Sequence, residues 1–263
     1  MRRLLASCVL LAGCAAGSGS LAQDADISEA DWVEVELASG TVTAVSAPEA
    51  RALAQPRWRS SHALFRRVPA CGFSGNGGLL PGGGESEDAA TASTDGRSFL
   101  AVFELTTAQW AALTRTAGGS QLPLAGIPAE DVALVLAGTS LSRLRLDLPD
   151  AGLWAIACSG GRSTLFSWGD GTAEDAASSN AVHHPRSGAA PSGPSAVGSL
   201  LPNAFGLFDM HGNVWELVRR GDGFEVRGGA WDSPVLQCRT ANRVDLPGEL
   251  AVPDVGVRLA LRP

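Results

Sequence analysis

The sequence predicts a loop-rich α+β domain, and three observations lead there. Segments with the apolar spacing of helices or strands are short and irregularly interleaved. Two stretches, 72–98 and 169–198, are dominated by Gly, Ser, Ala and acids and read as long surface loops. No period of self-similarity runs along the chain, which excludes a repeat array, and the element order is not that of a doubly wound parallel sheet. With 263 residues, 45% of them hydrophobic, the chain is long enough to bury a sizeable core.

The amino terminus reads as an export signal rather than as part of the fold. Arg2 and Arg3 precede an apolar run from Leu4 to Ala12 that is too short to span a bilayer. Two processing readings stand side by side. Leu11-Ala12-Gly13-Cys14 has the form of a bacterial lipobox, with Cys14 as the lipidated residue and an anchor in the cell envelope. Ser20-Leu21-Ala22 is instead a small-x-small cleavage site, which would make residues 1–22 a signal peptide and release a periplasmic or secreted protein. No membrane contact is expected other than through such an anchor.

Residues 23–67 are expected to form an N-terminal β extension. Trp32 to Leu37 and Thr41 to Val45 alternate apolar and polar residues around Ser39-Gly40, the pattern of a hairpin, and a short helix is expected over Pro48–Ala54. The main domain is expected over 68–263. Within it, Phe99–Phe103 reads as a strand. Thr106–Thr114, Pro128–Leu136 and Asp150–Cys158 read as short helices, and Phe224–Leu261 holds strand-like runs broken by Gly and Pro.

The charge balance removes several functions. The net charge is −7, or −9 without Arg2 and Arg3 (18 Arg against 27 acids), and every basic residue is Arg. An acidic chain without a basic stripe is a poor nucleic-acid ligand. The absence of Lys and Tyr rules out Schiff-base chemistry and tyrosine acid–base catalysis. Export permits disulfides, but Cys71, Cys158 and Cys238 cannot all pair with one another.

One segment carries a family signature. Pro202-Asn203-Ala204-Phe205-Gly206-Leu207-Phe208-Asp209-Met210-His211-Gly212-Asn213-Val214-Trp215-Glu216-Leu217 resembles the hallmark of the formylglycine-generating enzyme (sulfatase-modifying factor) family. Four further blocks agree in order: Phe103-Glu104-Leu105-Thr106 with Gln109-Trp110; Leu148-Pro149-Asp150 through Trp154 and Gly160-Gly161 to Trp168-Gly169-Asp170; Arg227-Gly228-Gly229-Ala230-Trp231 with Cys238-Arg239 and Asn242-Arg243; and Asp254-Val255-Gly256-Val257-Arg258-Leu259. The resemblance implies a variant of the C-type lectin fold.

It also implies a departure in chemistry. Family enzymes oxidise a sulfatase cysteine to an aldehyde with copper held by two cysteines; at the matching positions stand Ser233 and Cys238. A serine hydroxyl is a hard, protonated ligand, so a copper site is not expected. Iron chemistry would need clustered histidines, whereas His62 and His211 stand alone and His183-His184 reads as solvated loop. Cys238 remains the candidate catalytic residue of an alternative oxidoreductase reading.

By resemblance, Asp209, Gly212, Val214 and Glu216 are the expected calcium ligands, two carboxylates and two carbonyls, and Cys158 and Cys238 an expected disulfide; two buried free thiols, or Cys71 as the partner of either, are the alternatives. A second family calcium site is doubtful, since 181–197 after Asn180 has no Asp or Glu. Trp154, Trp168, Trp215 and Trp231 are expected in the core, and Glu104 is expected to pair with Arg258. The expected function is that of an exported, calcium-stabilised, non-catalytic binding or accessory module whose partner is an unknown protein or small molecule. A further alternative is a surface-displayed ligand binder varied within Asp232–Pro253.

Overall fold

The computed structural model describes residues 26–48, 53, 55–74, 91–139, 141, 143–172, 174–185 and 191–263. The signal segment and Cys14 lie outside the described residues, as does most of the expected helix over 48–54. Among the described residues no helix is long and apolar enough to cross a membrane.

The expected hairpin forms from β1 (Trp32–Glu36) and β2 (Thr41–Val45), with Gly40 at φ 75° in the turn. It is not an appendage. β1 also pairs antiparallel with β3 (His62–Arg67), which the sequence reading had placed in the extension without a strand assignment. β3 continues the sheet into the main domain, so the boundary expected at residue 68 is not a structural one. Next come the small pair β4 (Gly72–Ser74) and β5 (Thr91–Ser93), set inside the stretch expected to be loop, and β6 (Phe99–Ala101).

Two of the three expected helices begin at a side-chain cap and the third follows a proline. α1 (Thr107–Thr114) is capped by Thr106, whose hydroxyl accepts from the Gln109 amide while the Gln109 side chain accepts from the Thr106 amide. α2 (Ala129–Ala137) follows Pro128, which fixes the entry to its first turn, and Glu130 and Asp131 favour its positive end. After β7 (Arg145–Asp147), α3 (Ala151–Ser159) is capped by Asp150, which accepts from the Leu153 amide at 2.7 Å. α3 is apolar all round, and Leu153 through Ser159 are all buried, as a central helix requires. A fourth helix, α4 (Glu174–Asn180), interrupts the second expected loop.

β8 (Trp215–Arg220), β9 (Gly223–Arg227), β10 (Arg243–Leu246) and β11 (Val255–Gly256) form a second sheet in the order β10-β9-β8-β11. The last strand, β12 (Ala260–Arg262), closes the first sheet in the order β2-β1-β3-β6-β12-β7. β12 thus lies between β6 and β7.

The central strands β3 and β6 of the first sheet are buried on both faces. Phe65, Phe99 and Ala101 pack into one cluster with Val132 and Leu136 of α2; their neighbours Leu64, Leu100 and Val102 pack into another with Leu153, Trp154 and Ile156 of α3. Alternate residues of a strand face opposite ways, so the same short strands serve both layers.

Candidate functional site

The hallmark segment enters the left-handed region at Gly206 and at three further points. Asp209, Gly212 and Asn213 have φ of 56°, 82° and 63°. Asp and Asn tolerate this left-handed region better than other side chains, and Gly212 is required for space as well. A Cβ on it would lie 2.1 Å from the Val182 carbonyl oxygen. These turns fold the loop inward, so that Asp209, Asn213 and Glu216 are all buried.

At the centre is Arg258, itself fully buried. Its Nη2 donates to Glu216 Oε1 at 2.6 Å and to the Phe208 carbonyl at 2.7 Å; Nε donates to both Glu216 oxygens at 3.0 Å; Nη1 donates to the Ala101 and Val102 carbonyls. Trp154 completes the Glu216 environment by donating its indole N–H to Oε2 at 2.6 Å. The expected pairing of Arg258 with Glu104 is therefore corrected: the ion pair is with Glu216. Glu104 instead accepts from Asn213 Nδ2 at 2.6 Å and from the Val214 amide. Asn213 also ties in the loop above, accepting from the Ser195 amide.

Three carboxylates thus share this interior. Burial, with Asp209 and Glu216 nearby, pushes the Glu104 carboxyl well above the usual carboxylate range. Burial lifts Asp209 to about 6, against the Gly198 amide that donates to its Oδ2 at 2.5 Å. Burial disfavours the charge on Arg258, but the carboxylates around it outweigh this and hold it protonated.

The calcium expectation meets this geometry at Glu216. The Glu216 oxygens already accept hydrogen bonds from Arg258 and Trp154, so a cation at Glu216 would compete with these two donors. Of the four expected ligands, Glu216 is the one whose oxygens are already engaged by side-chain donors, and Asp209 accepts from the Gly198 amide. Among the described residues no group of three or more His, Cys, Asp or Glu is placed to hold a metal.

The cysteine positions tell a second story. Cys158 and Cys238 are both buried and unbridged in the structure. The imidazole of His211 sits between them. Its Nδ1 donates to the Cys238 carbonyl at 2.7 Å, and its Nε2, 3.6 Å from Cys158 Sγ, accepts from the Ser167 amide at 3.1 Å. Trp168, only partly buried, stacks on Phe166 at 4.5 Å and meets His211 edge-on. Of the four tryptophans Trp154 alone is fully buried; Trp215 and Trp231 are partly so.

Burial pushes the Cys238 thiol up to about 12, and Asp232 adds to the effect. The sulfur is packed against Gly229, where a Cβ would lie 2.7 Å from it. Ser233, at the first position of the family's cysteine pair, is buried too, and its hydroxyl accepts from the Ala230 amide at 3.0 Å. As arranged, the Cys238 thiol is held protonated and the Ser233 hydroxyl is engaged with the Ala230 amide. His183 is buried, contrary to the solvated loop expected, and lies against the His184 carbonyl; His184 is bridged to the Ser233–Pro234 turn.

Two antiparallel and mixed sheets, short capped helices and a deeply folded hallmark loop define a domain of the formylglycine-generating type, a variant of the C-type lectin fold. Residues 28–263 match the family model described as a sulfatase-modifying factor enzyme 1-like domain, and the chain belongs to that family. The match begins ahead of β1, in keeping with the hairpin's place in the main sheet. No curated protein sequence matches. Among solved structures, PvdO from Pseudomonas aeruginosa is similar, at TM-score 0.62 and 19% identity over 76% of this chain and 94% of that one. Treponema denticola variable protein 1 is similar at TM-score 0.60 and 18% identity, over 78% and 96%. CarF is similar at TM-score 0.52 and 20% identity, over 74% and 99%. At these identities the likeness is one of fold.

Proposed function

We propose that the protein is an exported, non-catalytic member of its family: a binding or accessory module. The observation that carries this reading is the state of the family's cysteine pair. Ser233 replaces one thiol, and Cys238 is sealed under Gly229 with its proton held to about pH 12. A thiolate is the species that would bind copper or attack a substrate, and burial removes it at neutral pH. A rigid interior under long connecting segments is a common way to present a binding surface. Export, through either processing reading of residues 1–22, completes the proposal.

The test is chemical. Residues 23–263, with copper and oxygen, are incubated with a Cys-x-Pro-x-Arg peptide and followed by mass spectrometry. No aldehyde is expected from the folded protein. An aldehyde that disappears in Cys238→Ser would replace this reading with that of an oxidoreductase.

A further inference from the structure

A cavity of about 570 Å³ opens where the start of the described chain meets the end of the domain, away from the hallmark loop. Its size lies in the range of small-molecule sites. Ile27, Leu144 and Phe99 supply apolar walls, and Arg67, Arg97 and Arg143 bring three guanidinium groups to it.

These arginines differ in what they do. Arg67 is a clamp: it donates to the carbonyls of Ile27, Ser28, Ala30 and Gly96 at 2.6–3.1 Å, and its guanidinium lies 4.5 Å above the Phe99 ring. All these partners are neutral, so its charge is oriented but not cancelled. Arg97 meets Asp95 only at 3.7 Å, between two exposed side chains, a contact that contributes little. Arg143 is exposed and has no ion pair among the described residues. Among the described lining residues Asp26 is the one side-chain acid, and it accepts from the Ser28 amide; Asp95 stands beside Arg97 outside the lining. In a chain of net charge −7, this is a local excess of positive charge beside an apolar wall.

We propose that this cavity binds an organic anion with an apolar body, such as an aromatic carboxylate or sulfonate. Its acid group lies between Arg97 and Arg143, and its body packs on Ile27 and Leu144. Arg67 acts as a positioning residue: it fixes residues 27–30 as one wall of the site. The planar fork of arginine suits a carboxylate or sulfonate better than a point cation would. This proposal does not depend on the cysteine argument and stands or falls separately from it.

The experiment is a fluorescence titration of residues 23–263 with 8-anilinonaphthalene-1-sulfonate, in parallel with its uncharged analogue N-phenyl-1-naphthylamine. Saturable one-to-one binding of the sulfonate is expected. In the double variant R97A/R143A the dissociation constant should rise at least ~tenfold, with the melting temperature unchanged because both side chains are exposed. Binding of the uncharged analogue should be the same in both proteins. Equal sulfonate affinity in parent and double variant would overturn the proposal, since the dye would then sit elsewhere. Absence of saturable binding to the parent would overturn it as well.

Discussion

Arg258 and Glu216, 42 residues apart in sequence, meet at 2.6 Å with neither side chain reaching solvent. Arg258 also caps carbonyls of Ala101, Val102 and Phe208, so one guanidinium joins the end of β6, the hallmark loop, the start of β8 and the segment between β11 and β12. Breaking this pair from one side strands a buried charge. Arg258→Met and Glu216→Leu are each expected to cost about 3–5 kcal/mol, on the order of a 10 °C drop in Tm. The double variant should be less destabilised than the sum of the two, because neither charge is then left alone. Additive effects in a thermal-unfolding cycle would show that the pair is not a unit.

The same geometry makes a statement about calcium. Arg258 supplies the positive charge that Glu216 faces, so neither a chelator nor millimolar calcium is expected to move the melting curve. In Arg258→Ala the three carboxylates Glu104, Asp209 and Glu216 lose that charge, and calcium should then stabilise in proportion to its occupancy. A shift of several degrees with calcium in the parent protein would mean that Arg258 yields its place to the ion.

What could be read from the sequence, and what could not, follows from the range of the interactions. The helices that start at Thr106, Pro128 and Asp150 were legible because apolar spacing over two or three turns is a local signal. The hairpin was legible from alternation, but its membership of the main sheet was not, since pairing of β1 with β3 depends on a partner thirty residues away. Glu104 was the wrong partner for Arg258 for a similar reason. In a domain built of loops, spacing does not say which of two acids a buried arginine reaches. The left-handed turns at Asp209, Gly212 and Asn213 swing Glu216 inward, and only the folded loop reveals this. The cysteine positions were found, yet His211 between Cys158 and Cys238 could not be foreseen from its place in the chain.

The free thiols can be counted. In the native fragment 23–263, Cys71 is the partly exposed thiol and should react first with a maleimide, although burial raises its pKa somewhat. Cys158 and Cys238 should label only after unfolding, giving three modified cysteines in denaturant without a reductant. One modified cysteine under those conditions would mean that 158 and 238 are bridged.

Gly212 is placed where no side chain fits. With φ at 82° and the Val182 carbonyl 2.1 Å from a built Cβ, Gly212→Ala combines strain with a backbone collision. A loss of roughly 3 kcal/mol or more is expected, enough to prevent accumulation of folded protein if the parent is marginal. Gly171 has open space around it and no positive φ, so Gly171→Ala should leave the denaturation midpoint within about 0.5 kcal/mol of the parent. Similar losses at both positions would remove the steric argument.

His211 gives the fold a pH dependence of known sign. Burial holds its pKa down to about 4, against the bond to the Cys238 carbonyl, so the folded protein keeps the imidazole neutral. The unfolded chain takes up a proton near the ordinary value of about 6.5. Between those two values acid favours the unfolded state. The His211 contribution is therefore complete above about pH 6.5, falls as the pH drops, and is lost below about 4. The gap corresponds to about 3 kcal/mol at most. Denaturant unfolding at pH 7.0 and at pH 4.5 measures it, and the loss between the two should be smaller in His211→Gln. Glu104 and Asp209 have raised pKa values and act in the opposite sense over part of this range. The informative quantity is accordingly the difference between parent and variant rather than either slope alone. If the two proteins lose stability in parallel, His211 is protonated in the fold and the tautomer assigned from Cys238 and Ser167 is wrong.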